Sequence, residues 1–210
     1  MANKEFEDKY YNQGYQVIGG LDEAGRGPLA GPVVAACVVF PSSFNDEIIN
    51  DSKKLSDKKR RELVNIIKEN ALDYSISVVD EEIIDKINIY QASRLAMMEC
   101  IKKLKVNLDV ALTDAMPLPD LKIKVEAIVK GDQKSLSIAA ASILAKVTRD
   151  ELMEEYDKVY PEYKFAKHKG YGTKEHLKAI EEFGICKIHR KTYEPIKSML
   201  QPKLELIFDE

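Results

Sequence analysis

Apolar residues along this chain recur with two periods, and the switches between them mark the elements. Residues 16–22 (QVIGGLD) and 33–40 (VVAACVVF) read as strands; the second scarcely alternates, which predicts burial on both faces. The stretch between them is rich in Gly and Pro and reads as a loop. Ser56 followed by DKKRRELVNIIKEN has the form of a capped amphipathic helix with Leu63, Ile66 and Ile67 on one face. Residues 74–79 alternate as a strand, Asp80 can cap a short helix, and residues 89–104 give a longer one. Two more strands are expected at 110–113 and 125–129, on either side of the loop Met116-Pro117-Leu118-Pro119. Residues 137–159 form a long helix whose opening, Ile138-Ala139-Ala140-Ala141-Ser142, is almost all small, so it can approach a sheet closely. Past Pro161 the polar loop 167–172 leads to a helix capped by Thr173, and Pro195 begins the last one. With a short charged helix at the start, this order predicts an α/β sheet of five strands, partly antiparallel where it begins.

Composition adds limits. At 210 residues, with no repeat or Gly/Ser-rich linker, the chain reads as one continuous structural unit: a core over 1–160 and a C-terminal helical extension over 161–210. The 45% hydrophobic and 32% charged content is that of an ordinary globular protein and excludes disordered and collagenous classes. The longest apolar run, 33–40, is far short of the roughly 20 residues that span a bilayer. The first eight residues mix both charge signs with no apolar stretch behind them, so no secretory signal is read and a cytoplasmic, monomeric protein is expected. Cys37, Cys100 and Cys186 stand singly, without the spacing of a zinc site or a disulfide framework. The net charge of −3 excludes a histone-like polycation, yet residues 164–203 hold ten Lys or Arg against four acids. That segment can meet nucleic acid, because local fields outweigh the sum.

The richest chemistry lies in GGLDEAGRGPLAGP, residues 19–32. Asp22 and Glu23 stand at the end of a buried strand; Asp114 ends another, and Asp132 follows a third. Ligands of α/β sheets tend to bind at the carboxyl ends of strands. If those strands are neighbours the four acids converge, and like charges so close need cations among them. Carboxylate oxygens suit Mg²⁺ or Mn²⁺, and two such ions form the clamp of phosphodiester displacement. A nuclease is the natural reading. The phosphate-cradling alternative fits less well: Gly20 to Gly27 approaches G-x-x-x-x-G-K-[ST] but has Arg for Lys, Gly for the hydroxyl residue and two acids where phosphate would lie.

DEAGRGPLAGPVV at 22–34, DSKKL at 51–55, KGD at 130–132, AASILAKVTRD at 140–150 and HKGYGT at 168–173 together closely resemble the ribonuclease HII family, the type 2 ribonucleases H, from about Val17 to Lys197. The resemblance implies a ribonuclease H-like five-stranded mixed sheet flanked by helices, with a C-terminal helical extension. It implies that Asp22, Glu23, Asp114 and Asp132 bind two Mg²⁺ or Mn²⁺ ions. It implies hydrolysis of RNA:DNA hybrids and incision 5′ to single ribonucleotides in duplex DNA, leaving 3′-hydroxyl and 5′-phosphate ends. Many members have Gly after the third carboxylate, whereas Asp114 is followed here by Ala115.

In the family the Gly25-Arg26-Gly27 loop reads the ribose 2′-hydroxyl through backbone groups, and Tyr171 packs on the next deoxyribose, so that together they sense an RNA-to-DNA junction. Lys53, Lys54, Lys146, His168, Lys169 and Arg190 become candidates for phosphate contacts, with Ser142 as a hydrogen-bond donor. Asp150, beside Arg149 and four residues after Lys146, is expected in an ion pair, not on a metal. The tail, residues 201–210, is polar, then apolar, with an acidic tip, and loosely resembles peptides that dock on a replication sliding clamp. Two other readings stay open: a non-catalytic hybrid-binding module, which has no need of four acids, and another two-metal nuclease, which has no need of Gly25-Arg26-Gly27 with Tyr171.

Overall fold

The computed structural model describes residues 3–45, 49 and 56–201; Lys53, Lys54 and the apolar tail at 204–210 lie outside the described residues. The sheet is organised around the strand that bears the first two acids. Strand β1 (Ile18–Ala24) pairs antiparallel with β2 (Val33–Val39), which pairs antiparallel with β3 (Asp73–Val79). On its other side β1 pairs parallel with β4 (Val110–Asp114), and β4 parallel with β5 (Lys124–Ile128), giving the order β3-β2-β1-β4-β5. This is the mixed five-stranded sheet expected. The helices are α1 (Glu5–Tyr11), α2 (Asp57–Asn70), α3 (Glu81–Ile87), α4 (Ile89–Lys103), α5 (Leu136–Val159), α6 (Phe165–His168), α7 (Lys174–Phe183) and α8 (Ile196–Leu200). Ser56, Asp80 and Thr173 cap α2, α3 and α7 through their side chains, as their place before each apolar pattern predicts.

Two segments depart from the expected bounds by more than one residue. β1 begins at Ile18 because the N–H groups of Gln16 and Val17 bond Asp109 Oδ2 (2.8 and 2.9 Å) and so leave the ladder. It runs on to Ala24, so Asp22, expected as the last strand residue, pairs opposite Ala36 within it, and Glu23, expected just after it, pairs opposite Ala35. The loop expected at 167–172 is partly helical, since α6 occupies Phe165–His168 after Asp157 Oδ1 takes the Ala166 N–H (3.1 Å).

Helix α5 lies against one face of the sheet, packing Ala139, Ala140 and Ala141 on Ala36 and Val38. Its small opening meets a glycine: a Cβ on Gly20 would sit 2.2 Å from the Ser137 carbonyl carbon and 2.3 Å from the Ile138 nitrogen. The N-terminus of α5 is capped twice, by Ser135 and by the buried Glu7 carboxylate of α1, which accepts from Ser137 N (2.9 Å) and from the Ser135 and Ser137 hydroxyls (2.6 Å each). Helix α4 covers the other face, setting Ala92, Ala96, Met97 and Cys100 on Leu21, Ala35, Cys37 and Ala111. A third apolar cluster joins Leu29, Ala30 and Met153 to Tyr163, Phe165, Ala179, Ile180, Ile188 and Ile196, so the C-terminal helices close over the loop that follows β1. Among the described residues no helix is long and apolar enough to cross a membrane.

Candidate active site

The acids gather where the two central parallel strands end. The β1–β4 register reaches Leu21 opposite Thr113, so Asp22 and Asp114 come next on neighbouring strands. Asp22 is buried; its Oδ1 accepts the Glu23 N–H (2.7 Å) and its carboxylate is bonded by the Ser142 hydroxyl of α5. Burial, followed by the negative charges of Glu23 and Asp114, pushes the Asp22 carboxyl well above the usual carboxylate range against those two bonds. Burial raises Glu23 as well, outweighing Arg26, whose Nη1 lies 3.1 Å from Glu23 Oε1. Asp114 Oδ1 accepts the Gly131 N–H (2.7 Å), which ties the end of β4 to the short 3₁₀ turn Gly131–Gln133 holding the buried Asp132. The departure after Asp114 has a structural answer: Ala115 takes the left-handed backbone, φ +54°, that glycine adopts without strain. The turn is held by Thr113 Oγ1 donating to Met116 O (2.5 Å) and by Ala115 N–H on Ile128 O (3.1 Å).

Asp22, Glu23 and Asp114 are close enough for their charges to repel, and Asp132 is tied to Asp114 through the Gly131 N–H. Among the described residues no group of three or more His, Cys, Asp or Glu side chains is placed to hold an ion by itself. The acids are an open set, and Glu23 Oε2 is buried with no hydrogen-bond partner. Hard carboxylate oxygens in mutual repulsion, one of them unspent, fit a divalent cation completed by oxygens from substrate.

Beside the acids runs a groove of about 400 Å³ lined by Glu23, Gly25, Arg26, Gly27, Arg60, Ser142, Lys146 and Tyr171, among others. Gly25, Arg26, Gly27, Ser142, Lys146 and Tyr171 therefore lie together, as expected. Tyr171 is 46% exposed, and a Cβ on Gly27 would stand 3.7 Å from its ring. Gly25 has φ +102° and rests on Arg149, whose Nε would be 2.2 Å from an added Cβ. The expected ion pair is present, with Lys146 Nζ 2.5 Å from Asp150 Oδ1. The ammonium of Lys169 lies on Glu154 (2.7 Å).

Two sequence-based roles need correction. Arg190 is 0% exposed, and its guanidinium bonds the carbonyls of Gly25, Arg26 and Gly31 from beneath the loop, so it has no surface to offer a phosphate. His168 is buried as well. Its Nδ1 accepts the Gly170 N–H (3.2 Å), which leaves the proton on Nε2 to donate to Tyr163 O (2.7 Å), so both ring nitrogens are spent.

The other two histidines form a chain with one consistent set of protons. Cys186 N–H donates to His189 Nδ1 (2.9 Å), His189 Nε2–H donates to His176 Nε2 (3.0 Å), and His176 Nδ1–H donates to Tyr171 O (2.9 Å). Each ring is neutral in that arrangement, and burial pulls both His176 and His189 down to about 4. The chain thereby anchors the backbone of Tyr171.

Sequence reading missed Arg60 and Arg149. Arg60 sits in the basic run that opens α2, indistinguishable there from a solvated polar face. Arg149 is buried and donates to Pro32 O (3.0 Å), Ala30 O (3.0 Å) and Lys169 O (2.9 Å), joining the loop between β1 and β2 to the one that bears Tyr171. Burial, then the charge of Arg190, lowers it to about 10, which keeps it cationic at neutral pH.

A mixed sheet whose central strands end in clustered acids, beside a groove of bare glycine backbone and basic groups, defines a nuclease of the ribonuclease H class. A family profile described as Ribonuclease HII matches residues 19–195, and the chain belongs to that family. It is 59% identical to a ribonuclease HII of Clostridioides difficile (strain 630) over 188 residues, which are 90% of this chain and 74% of the relative. Among solved structures it resembles the ribonuclease H2 of Pyrococcus horikoshii OT3, with TM-score 0.75, 25% identity, and 87% of this chain and 96% of that one covered. It also resembles the ribonuclease HII of Archaeoglobus fulgidus, solved in complex with PCNA, with TM-score 0.74, 27% identity, and 89% and 98% covered. The chain is accordingly a metal-dependent endoribonuclease, a type 2 ribonuclease H, active on RNA:DNA hybrids.

Proposed function

We propose that, besides cutting the RNA strand of hybrids, the protein incises duplex DNA 5′ to a single embedded ribonucleotide, leaving 3′-hydroxyl and 5′-phosphate ends, in the service of DNA replication and repair in the cytoplasm. The observation that carries this reading is the pairing of Gly27 with Tyr171 at the acid-bearing end of β1. Glycine leaves the backbone bare opposite an exposed ring, so peptide groups can approach a ribose while the ring packs on the following deoxyribose. The 2′-hydroxyl distinguishes RNA from DNA at such a position.

Asp22, Glu23, Asp114 and Asp132 are the residues that would hold two Mg²⁺ or Mn²⁺ ions. When bound, such ions supply charge stabilisation to the attacking and leaving oxygens of the phosphodiester. The chain's own groups prepare that site. Ser142 orients the Asp22 carboxylate, and Arg60 and Lys146 bring positive charge to the groove, where strand phosphates would run. No histidine serves as general base: all three have their ring nitrogens engaged in the protein interior. For residues 204–210, contact with a sliding clamp is supported by the PCNA complex of the Archaeoglobus relative. Clamp binding that is unchanged after deletion of those seven residues, measured by surface plasmon resonance, would remove that partner.

The test is cleavage of a labelled DNA duplex carrying one ribonucleotide, beside an all-DNA control, with Mg²⁺, Mn²⁺ or chelator. Metal-dependent incision 5′ to the ribonucleotide with the control intact is expected. Binding without cutting, on this duplex and on a long hybrid alike, would return the chain to a binding module. In the same assay Tyr171→Ala is expected to lose about tenfold on the single-ribonucleotide duplex, in the range that losing an aromatic contact to nucleic acid costs, and less on long hybrids. Equal losses on both would deny Tyr171 its junction role.

A further inference from the structure

Arg190 is a buried cation whose hydrogen-bond partners among the described residues include no carboxylate. Its Nη2 donates to Gly25 O (2.6 Å) and Gly31 O (2.8 Å), Nε to Gly31 O (2.9 Å), and Nη1 to Arg26 O (3.0 Å). Tyr193 completes the set: its hydroxyl accepts from Arg190 Nη1 (3.1 Å) and donates to Arg26 O (2.8 Å), and its ring lies 5.0 Å from the guanidinium carbon. Removing a guanidinium from water is costly unless its donors are satisfied, so the peptide groups that satisfy them are held firmly in turn.

Those bonds also set what faces the groove. In a trans peptide the carbonyl of one residue and the N–H of the next point in opposite directions. With the carbonyls of Gly25 and Arg26 drawn inward onto Arg190, the N–H groups of Arg26 and Gly27 turn outward, on the side where residues 25–27 line the groove. Neither N–H has a hydrogen-bond partner among the described residues. We propose that Arg190, with Tyr193, is a positioning residue that presents the Arg26 and Gly27 amides as a fixed pair of donors to the ribose oxygen of the substrate. This rests on the reading that the loop recognises the ribose.

Tyr193→Phe is the gentle test, since it keeps the ring over the guanidinium and removes only the hydroxyl. Arg190→Lys is the severe one: a single ammonium cannot span three carbonyls. For Tyr193→Phe, kcat/KM on the single-ribonucleotide duplex is expected to fall about tenfold, short of the ~100-fold that a misplacement near 1 Å can cost. Long hybrids, which offer a 2′-hydroxyl at every step, should lose less, and the melting temperature should stay close to that of the parent. Arg190→Lys should lose more on the first substrate. In ¹⁵N–¹H spectra recorded without substrate, the amides of Arg26 and Gly27 should shift in Tyr193→Phe. Unshifted amides, or losses equal on both substrates and proportional to lost thermal stability, would overturn the proposal. A parent enzyme that leaves the single-ribonucleotide duplex uncut would instead overturn the reading of the loop, and the amide spectra would still decide the role of Arg190.

Discussion

Asp22→Asn is expected to lose turnover by at least ~100-fold, the upper end of what removing even an outer partner of a metal ligand costs, while the folded protein becomes more stable. The gain follows from the direction in which the carboxyl is pushed. Folding raises the Asp22 pKa well above its ordinary 3.8, through burial and the nearby Glu23 and Asp114. The folded state therefore holds a proton that the unfolded state has released, and stability falls as pH rises from that ordinary value through the raised one. Above that ordinary value the folded carboxyl is a cost, whether it keeps its proton or gives it up. An amide of the same shape removes the charge, and its carbonyl oxygen can still accept the Glu23 N–H. Every tenfold gain in proton affinity on folding corresponds to about 1.4 kcal/mol, and 1 kcal/mol moves the melting point of a chain this size by about 2–4 °C. A rise of a few degrees is expected by differential scanning calorimetry at pH 7 without divalent ions, with hybrid binding retained by fluorescence anisotropy. Near-normal turnover would take Asp22 out of the reaction, and a lowered melting point would contradict the repulsion read among the acids.

Gly20→Ala is expected to cost the most stability of any single methyl added to the sheet, about 3 kcal/mol or more, at or beyond the usual upper end for overpacking. The new Cβ would fall 2.2 Å from a backbone carbon and 2.3 Å from a backbone nitrogen of α5, in the turn where Glu7, Ser135 and Ser137 already fix the helix start. Neither side can yield without lifting the helix from β1. Gly19→Ala is the control one residue away, on the opposite face: its Cβ would meet the ends of the Leu108 side chain at 2.9 and 3.0 Å and Cys37 Sγ at 3.1 Å. Side-chain ends can rotate aside. Denaturant midpoints for the two variants should therefore differ clearly, with Gly20→Ala the lower. Equal midpoints would mean that the close approach of α5 to β1 is not what demands glycine there.

The strands were legible because their residues are buried on a sheet that leaves little room for polar groups. Val33 to Val39 is buried throughout, and its unbroken apolar run says so directly. The acids were legible for the opposite reason: a carboxylate placed against such a strand is an anomaly that needs an explanation. Basic residues carry no such signal. Arg190 and Arg149 look in sequence like any surface arginine, because the carbonyls that receive them, Lys169 O apart, belong to residues more than a hundred positions away. His168 misled for a different reason: its partners, Tyr163 O and Gly170 N–H, are close by in the chain but are peptide groups, which leave no mark in a sequence. Arg60 was hidden by its neighbours, a basic run whose helical face shows only once α2 is docked.

Arg190 reaches Gly25 across 165 residues, and that separation orders events during synthesis. The segment bearing Arg190 leaves the ribosome after every acid of the site has been made and after α5 has had time to meet the sheet. Until then the carbonyls of Gly25 and Arg26 lack their anchor, and the loop between β1 and β2 is free to sample other shapes. A nascent chain thus has all four acids before it has the side chain that fixes the Gly25-Arg26-Gly27 loop, and the shape of that loop is the last feature of the groove to be set.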